Sequence, residues 1–354
     1  MKTRATKTIS LILAAVIVIS TLAGCGNSNA LITNQPDTRM ITDMYGRELT
    51  VPAKINRVLC TGSVEMIMTY LIAPEKLIGL NFSSNGDLIK PEYKNLPVMG
   101  GWTSNQAGNY ETFISMKPDI IIEGRAETLE ERQAKFGSLP VVGVGTNTSL
   151  TEYEPPLRFM GELLGVPERA ENLIQYYKEA MNFADSAIGK LPDSEIKTVY
   201  YAEGKVGLNT DPAGSQHTEL IEFCGGRNVA DIAITQGYGM AEVSMEQLLL
   251  WNPDVIIIGR ASQASLYQMI IADSKWQQLK AVKQGQVFVR PDDPFSWFDG
   301  PVGPNQIIGI YWTLQKLHPD LLPEEKLKEK VKEFYSGFYH YDLSNTELSK
   351  LLGN

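Results

Sequence analysis

The chain has 354 residues, 32 lysines and arginines against 41 aspartates and glutamates, a formal charge of −9, and a composition that is 43% hydrophobic and 21% charged. That is the make-up of a folded globular protein and excludes a disordered or collagen-like chain. The length suggests roughly two domains of ~150 residues. The acidic balance excludes the basic footprint of a nucleic-acid binder, and three cysteines with three histidines are too few for a disulfide framework or a zinc cluster.

Lys2, Arg4 and Lys7 open the chain, and Ile9 to Leu22 is then almost wholly apolar. At ~1.5 Å per residue this run falls short of a hydrocarbon core ~30 Å thick, so it reads as the apolar region of a signal peptide. It ends in Leu22-Ala23-Gly24-Cys25, small residues before a cysteine, as in a bacterial lipobox. Residues 1–24 are therefore expected to be a signal peptide, with Cys25 lipidated and 25–40 a polar, flexible tether. The mature chain is expected outside the cytoplasm, lipid-anchored to the bacterial cell membrane, with 29 basic and 41 acidic side chains.

After Arg57, β-branched runs alternate with helical stretches. Val58 to Thr61 reads as a strand, Val64 to Leu71 as a helix, and Leu77 to Leu80, Val98-Met99, Ile120 to Ile122 and Val141 to Val144 as further strands. The alternation resumes with Thr198 to Ala202, Asn228-Val229, Val255 to Ile258 and Val287 to Val289. Such a pattern predicts an α/β fold with parallel sheets. Between the halves, Ala170, Leu173, Ile174, Tyr177, Met181, Ala184 and Ile188 step by three and four, with Pro167 in the first turn and Gly189 and Pro192 at the end. This predicts one long helix over 167–188, a strut between two lobes.

A repeat marks those lobes. Asn109-Tyr110-Glu111 through Lys117-Pro118-Asp119 to Gly124-Arg125-Ala126 aligns without gaps on Ser244-Met245-Glu246 through Asn252-Pro253-Asp254 to Gly259-Arg260-Ala261, at a constant offset of 135. Each copy reads as N-cap, short helix, Pro-Asp turn, buried strand and Gly-Arg loop. Two similar lobes joined by a strut enclose a cleft, a common place for a ligand.

Glu111 and Glu246 hold equivalent first-turn positions, either as dipole-favoured acids or as one exposed anchor per lobe for arginines on a partner. Arg125 and Arg260 follow the strand in each copy, where open α/β sheets face their binding crevice; they read as anion-binding guanidiniums or as salt-bridge partners. Trp102, Tyr201, Tyr238 and Trp297 fall in the expected cleft loops as aromatic walls or as core. Cys60 and Cys224 read as buried thiols, one per lobe. His217, His318 and His340 lie far apart in sequence without partners at ligand spacing, so no metal site and no cofactor is expected. GxSxG, HExxH and Walker patterns are absent.

Taken together, the lipobox, Ile41 to Arg47 with Val51-Pro52 and Arg57-Val58, the two repeat copies, Gly225 to Ala230, and Trp276 with Val282 to Val289 resemble ABC-transporter substrate-binding proteins of the iron-siderophore/cobalamin, helical-backbone (class III periplasmic-binding-protein) group. The resemblance covers essentially the whole mature chain. It implies two Rossmann-like lobes, 41–165 and 191–354, joined by the 166–190 helix with the ligand cleft between them. It implies that Glu111 and Glu246 dock onto arginines of a permease dimer, whose separate cytoplasmic ATPase hydrolyses ATP, so that this chain is no enzyme. The cargo of such proteins is a ferric siderophore, haem, cobalamin or another metal chelate. Tyr201 to Gly214 and Trp297 to Pro301 are closer to a branch that includes molybdate/tungstate and nickel-chelate binders. A cell-surface hydrolase is the rival of a different class, and it would need a nucleophile–base pair or a metal triad in the cleft.

Overall fold

A hairpin opens the described residues. In the computed structural model, which describes residues 37–84, 86–102, 107–146, 149–233, 240–259 and 263–353, Thr38–Thr42 (β1) and Glu48–Pro52 (β2) pair antiparallel. Asp43 Oδ1 accepts the amides of Tyr45 and Arg47, closing the turn at Gly46, whose φ is +80°. The hairpin was not expected from the sequence, and β1 begins inside the expected tether. The rest of the tether, the signal segment and Cys25 lie outside the described residues.

Two parallel sheets follow. Val58–Cys60 (β3), Ile120–Glu123 (β4) and Val141–Gly143 (β5) pair in the order β3-β4-β5. Lys197–Ala202 (β6), Asn209–Thr210 (β7), Gly226–Asn228 (β8), Ala241–Glu242 (β9), Val255–Ile258 (β10) and Val287–Val289 (β11) come next. They form a parallel sheet, β11-β10-β6-β8, and a small antiparallel β7-β9 ladder. Leu77 to Leu80 and Val98-Met99 are not strands: they make only single bridges, Val58 with Leu77 and Leu80 with Val98. Gly79, Pro97 and Gly100 interrupt the ladder there.

Side chains alternate across both sheets. Val58, Cys60, Ile120, Ile122 and Val142 of the first, and Val199, Tyr201, Val255 and Ile257 of the second, belong to one continuous core. Leu59, Ile121 and Val141 face a smaller cluster on the far side of the first sheet. Tyr200, Ala202, Ile256, Ile258 and Val287 do the same on the second. Sheets buried on both faces explain why their strands read as unbroken apolar runs. Cys60 and Cys224 are free and buried, and burial pushes both thiols well above their ordinary range.

The long helix spans Pro167–Ile188, as predicted. It buries Ala170, Leu173, Ile174, Tyr176, Tyr177, Ala180 and Ala184, a stripe shifted slightly from the expected one because Met181 and Ile188 are only half-buried. It is packed along its length rather than spanning open space. Gly161 of the preceding helix, Glu154–Leu164, lies so close that a Cβ there would sit 2.5 Å from Ala170 Cβ. On another face the Tyr176 hydroxyl donates to Lys330 O. The C-terminal segment then returns to the first lobe, where the Tyr70 hydroxyl donates to Tyr339 O and His340 Nε2 meets Tyr70 O at 3.0 Å. Asp37–Asn354 accordingly forms one compact unit.

The repeat is structural. Tyr110–Ser115 is capped by Asn109, which accepts from the Thr112 amide at 2.9 Å; Met245–Trp251 is capped by Ser244, which accepts from Gln247 at 3.1 Å. The residue before each proline, Lys117 and Asn252, has a positive φ, 51° and 43°. No helix among the described residues is long and apolar enough to cross a membrane.

Candidate functional site

Parallel sheets gather their C-terminal strand ends along one edge, where the loops form a crevice. In the first lobe, β3 runs through Thr61 and Gly62 into the helix Ser63–Ile72, which carries Glu65 in its first turn. The Glu65 carboxyl is 4% exposed. It reaches the ends of both neighbouring strands. Oε1 accepts from Thr146 Oγ1, beyond β5, at 2.7 Å, and at Gly124, beyond β4, a Cβ would stand 1.6 Å from that oxygen. Burial pushes the carboxyl up to about 7, with Thr146 opposing; Glu123 adds to the rise and Arg125 opposes it.

Beside it, Glu123 is buried and holds two groups. One oxygen accepts the Arg125 amide at 3.0 Å, and the other pairs with Arg132 Nε at 3.2 Å. The Arg132 guanidinium lies 4.5 Å from the Trp102 ring centroid, and Trp102 also packs on Tyr110 and Phe113. Trp102 is thus half-buried and fixed at the strand ends, while the Arg125 side chain is exposed. Gly101 is needed because a Cβ there would lie 2.6 Å from Thr61 O.

In the second lobe the focus is Asp299. Oδ1 accepts from the Tyr201 hydroxyl at 2.5 Å and lies 3.5 Å from Arg290 Nε, and its backbone carbonyl accepts from Arg290 Nη1 at 2.9 Å. Oδ2 meets His217 Nδ1 at 3.3 Å. Asp211 completes the group: a ligating atom each from Asp211, His217 and Asp299 lies within 4.8 Å of the other two. The two aspartates are buried, and the His217 side chain is 21% exposed. A metal-ligating imidazole is commonly oriented by a carboxylate on its other nitrogen, so this proximity makes the group a candidate metal-binding cluster.

The periplasmic binding protein family model matches residues 87–294. The chain belongs to the periplasmic binding protein family. This binding protein is 30% identical to a solved ABC transporter solute binding protein from Sulfurospirillum deleyianum, with a TM-score of 0.80, covering 89% of this chain and 99% of that one. It is 24% identical to the molybdate-binding protein MolA of Haemophilus influenzae, over 85% of this chain and 91% of that protein. It is 22% identical to the Fe(3+)-citrate-binding protein YfmC of Bacillus subtilis, over 82% and 90%.

The binding protein places the expected site residues unevenly. Trp102 and Arg125 lie at the strand ends of the first lobe. Tyr201 and Trp297 do not form a cleft wall: both are 0% exposed, Tyr201 stacked 4.9 Å from Phe298 and Trp297 edge-on to Tyr335. Tyr201 is the penultimate residue of β6 and Trp297 lies in the loop after β11, but both rings turn into the core. Tyr238 and Arg260 lie outside the described residues. Glu111 and Glu246 are exposed in the first turns of matching helices. The Glu246 carboxyl is held below its usual range by its own backbone amide and Ser244.

The expectation of no ligand-type partners for the histidines is corrected at His217. One candidate partner, Asp211, is only 6 positions away, but the one that orients the ring, Asp299, is 82 away and beyond the reach of any local spacing rule. Glu65 was missed too, although a lone acid in the apolar run after β3 is a visible signal. A cavity of ≈ 370 Å³ lies away from these strand ends, between the long helix and the C-terminal turn, against Arg169, Tyr176, Phe338 and His340.

Proposed function

We propose that this chain is the extracytoplasmic substrate-binding protein of an ABC importer, anchored through a lipid on Cys25, and that it captures a compact metal complex. The cargo is delivered to a permease dimer that docks on Glu111 and Glu246, one acid per lobe, and a separate cytoplasmic ATPase drives uptake. The chain itself performs no catalysis.

The observation that carries the cargo reading is the convergence of Asp211, His217 and Asp299 at the strand ends of the second lobe. A partly exposed imidazole held by a buried carboxylate suits a metal with a coordination position open to the protein. The buried Glu65 carboxyl of the first lobe adds an acceptor group rather than a donor for an anion. Retreat of Tyr201 and Trp297 into the core leaves Trp102 as the described aromatic contact, which suits a compact chelate better than a large siderophore. Arg125, Arg260 and Tyr238 are the remaining contacts proposed from the sequence.

A second reading, molybdate or tungstate, is favoured by the same scarcity of aromatic wall among the described residues and by the likeness to a molybdate-binding protein. A thermal-shift screen of the purified chain separates the two, because a molecule that binds only the folded state raises the melting temperature. The expected result is a rise with Ni(II)–histidine or ferric citrate. A rise with molybdate alone would replace the first reading by the second.

A further inference from the structure

Glu65 is a buried acid whose surroundings are incomplete. Oε1 is satisfied by Thr146, whereas Oε2 is buried without a hydrogen-bond partner among the described residues. Leaving a carboxylate oxygen unpaired in the interior is costly, and native proteins rarely do so without a reason. The chain makes room for this carboxyl: Gly124 lacks the Cβ that would collide with it, and a Cβ there would also stand 2.2 Å from Thr146 Oγ1. The carboxyl is therefore placed at the C-terminal edge of all three strands of the first sheet.

That edge faces the second lobe. Val64, the neighbour of Glu65, has Cγ1 3.1 Å from where a Cβ on Gly303 would sit, and Gly303 is four residues beyond Asp299. The loop carrying Asp299 thus abuts the helix start carrying Glu65.

We propose that Glu65 is the first lobe's contact with the cargo, a buried acceptor for a hydrogen-bond donor on the captured molecule: an amine or hydroxyl of a chelator, or a metal-bound water. This rests on the proposed capture of a metal complex between the lobes and adds a carboxylate from the opposite lobe to the Asp211–His217–Asp299 group. Such a donor satisfies Oε2 and favours the ionised carboxyl. Capture then strengthens as pH rises through about 7, the level to which burial lifts Glu65. The ionisable groups around it are Tyr45, Cys60, Glu123 and Arg125, and only Arg125 opposes the rise.

Isothermal titration of the full chain with Ni(II)–histidine, ferric citrate and molybdate, in wild type, Glu65→Gln and His217→Ala, tests this. Loss of at least about tenfold in affinity in Glu65→Gln, with a flatter pH profile, is expected for the removal of one charge-assisted hydrogen bond. Melting curves establish that the variant is folded; if it is not, Glu65→Asp is read by the same titration. Unchanged affinity in the folded Glu65 variant, with binding lost in His217→Ala, overturns the role of Glu65 and leaves the metal reading standing. Weakened binding in the Glu65 variant with an unaffected His217→Ala supports Glu65 and removes the metal reading. Wild type that takes none of the three probes overturns both.

Discussion

Asp119 and Asp254 do the same work 135 positions apart. The Asp119 amide donates to Arg57 O at 2.8 Å, and its carboxylate accepts the amides of Asn56 and Arg57 at 2.7 and 2.9 Å. The Asp254 amide donates to Thr198 O at 2.9 Å, and its carboxylate accepts the amide and hydroxyl of Thr198 at 2.8 Å. Each acid of a Pro-Asp turn therefore ties its own strand to the start of the neighbouring parallel strand. Replacing either by alanine leaves backbone donors unpaired at the foot of a sheet and is expected to cost about 1–3 kcal/mol, read from urea unfolding.

The two tethers predict an acid-side effect at Asp254. Burial alone would raise this carboxyl, but Lys280 and Thr198 outweigh burial and hold it below its ordinary value. A carboxyl depressed on folding contributes stability above its unfolded value and loses it as pH falls through the folded one. Asp254→Asn should therefore lose stability relative to wild type at pH 7, with the difference shrinking below about pH 4. A difference that stays constant down to pH 3 would contradict this.

Glu65 predicts the opposite slope. Its value is raised, so the cargo-free protein gains from it at low pH and loses that gain as pH rises through about 7. Wild-type stability should decline across roughly pH 5–8 more steeply than that of Glu65→Gln, which should be the more stable protein at pH 8. Thermal melts across that range in both proteins, without cargo, make the comparison. Parallel profiles would show that Glu65 is ionised throughout.

Gly124→Ala should be among the most damaging small substitutions in the chain. The added methyl meets the Glu65 carboxylate and the Thr146 hydroxyl together, and neither is the end of a side chain with open space to enter. Destabilisation of about 2–3 kcal/mol is expected from such overpacking, and Glu65→Ala in the same chain should recover most of it.

Much of the fold was legible before the structure. The helix over 167–188 and the strands at Val255 to Ile258 and Val287 to Val289 fell where periodicity put them, because long stripes and buried β-branched runs are local signals. The hairpin Thr38–Pro52 was not legible, since its half-exposed strands carry no apolar run and its register is set by Asp43 in the turn. The site was legible in placement more than in content. Strand-end logic found the loops of Trp102 and Trp297 and the strand end of Tyr201 but not which way the rings turn; Tyr201 faces inward because its hydroxyl has a buried acceptor in Asp299, 98 residues on. His217 was set aside for lack of partners at ligand spacing, and the carboxylate that orients it, Asp299, is 82 positions away.

Docking predicts a separation of phenotypes. Glu111 and Glu246 are exposed, and their helices are capped by Asn109 and Ser244 rather than by the acids themselves. Reversing both charges, Glu111→Arg with Glu246→Arg, should leave cargo affinity within error of wild type and lower the melting temperature only slightly, through the lost helix-dipole contacts, while abolishing uptake in cells that depend on this importer. Normal uptake by the double variant would remove the docking role.

The capture of a metal complex at the second lobe's strand ends is tested most directly by titrating the purified chain with Ni(II)–histidine before and after His217→Ala. Loss of the imidazole should weaken binding by at least about tenfold, and melting curves establish that the variant, which removes a partner of the buried Asp299 carboxylate, is still folded. Undiminished binding in His217→Ala, or a wild-type chain that binds molybdate and no metal complex, would contradict it.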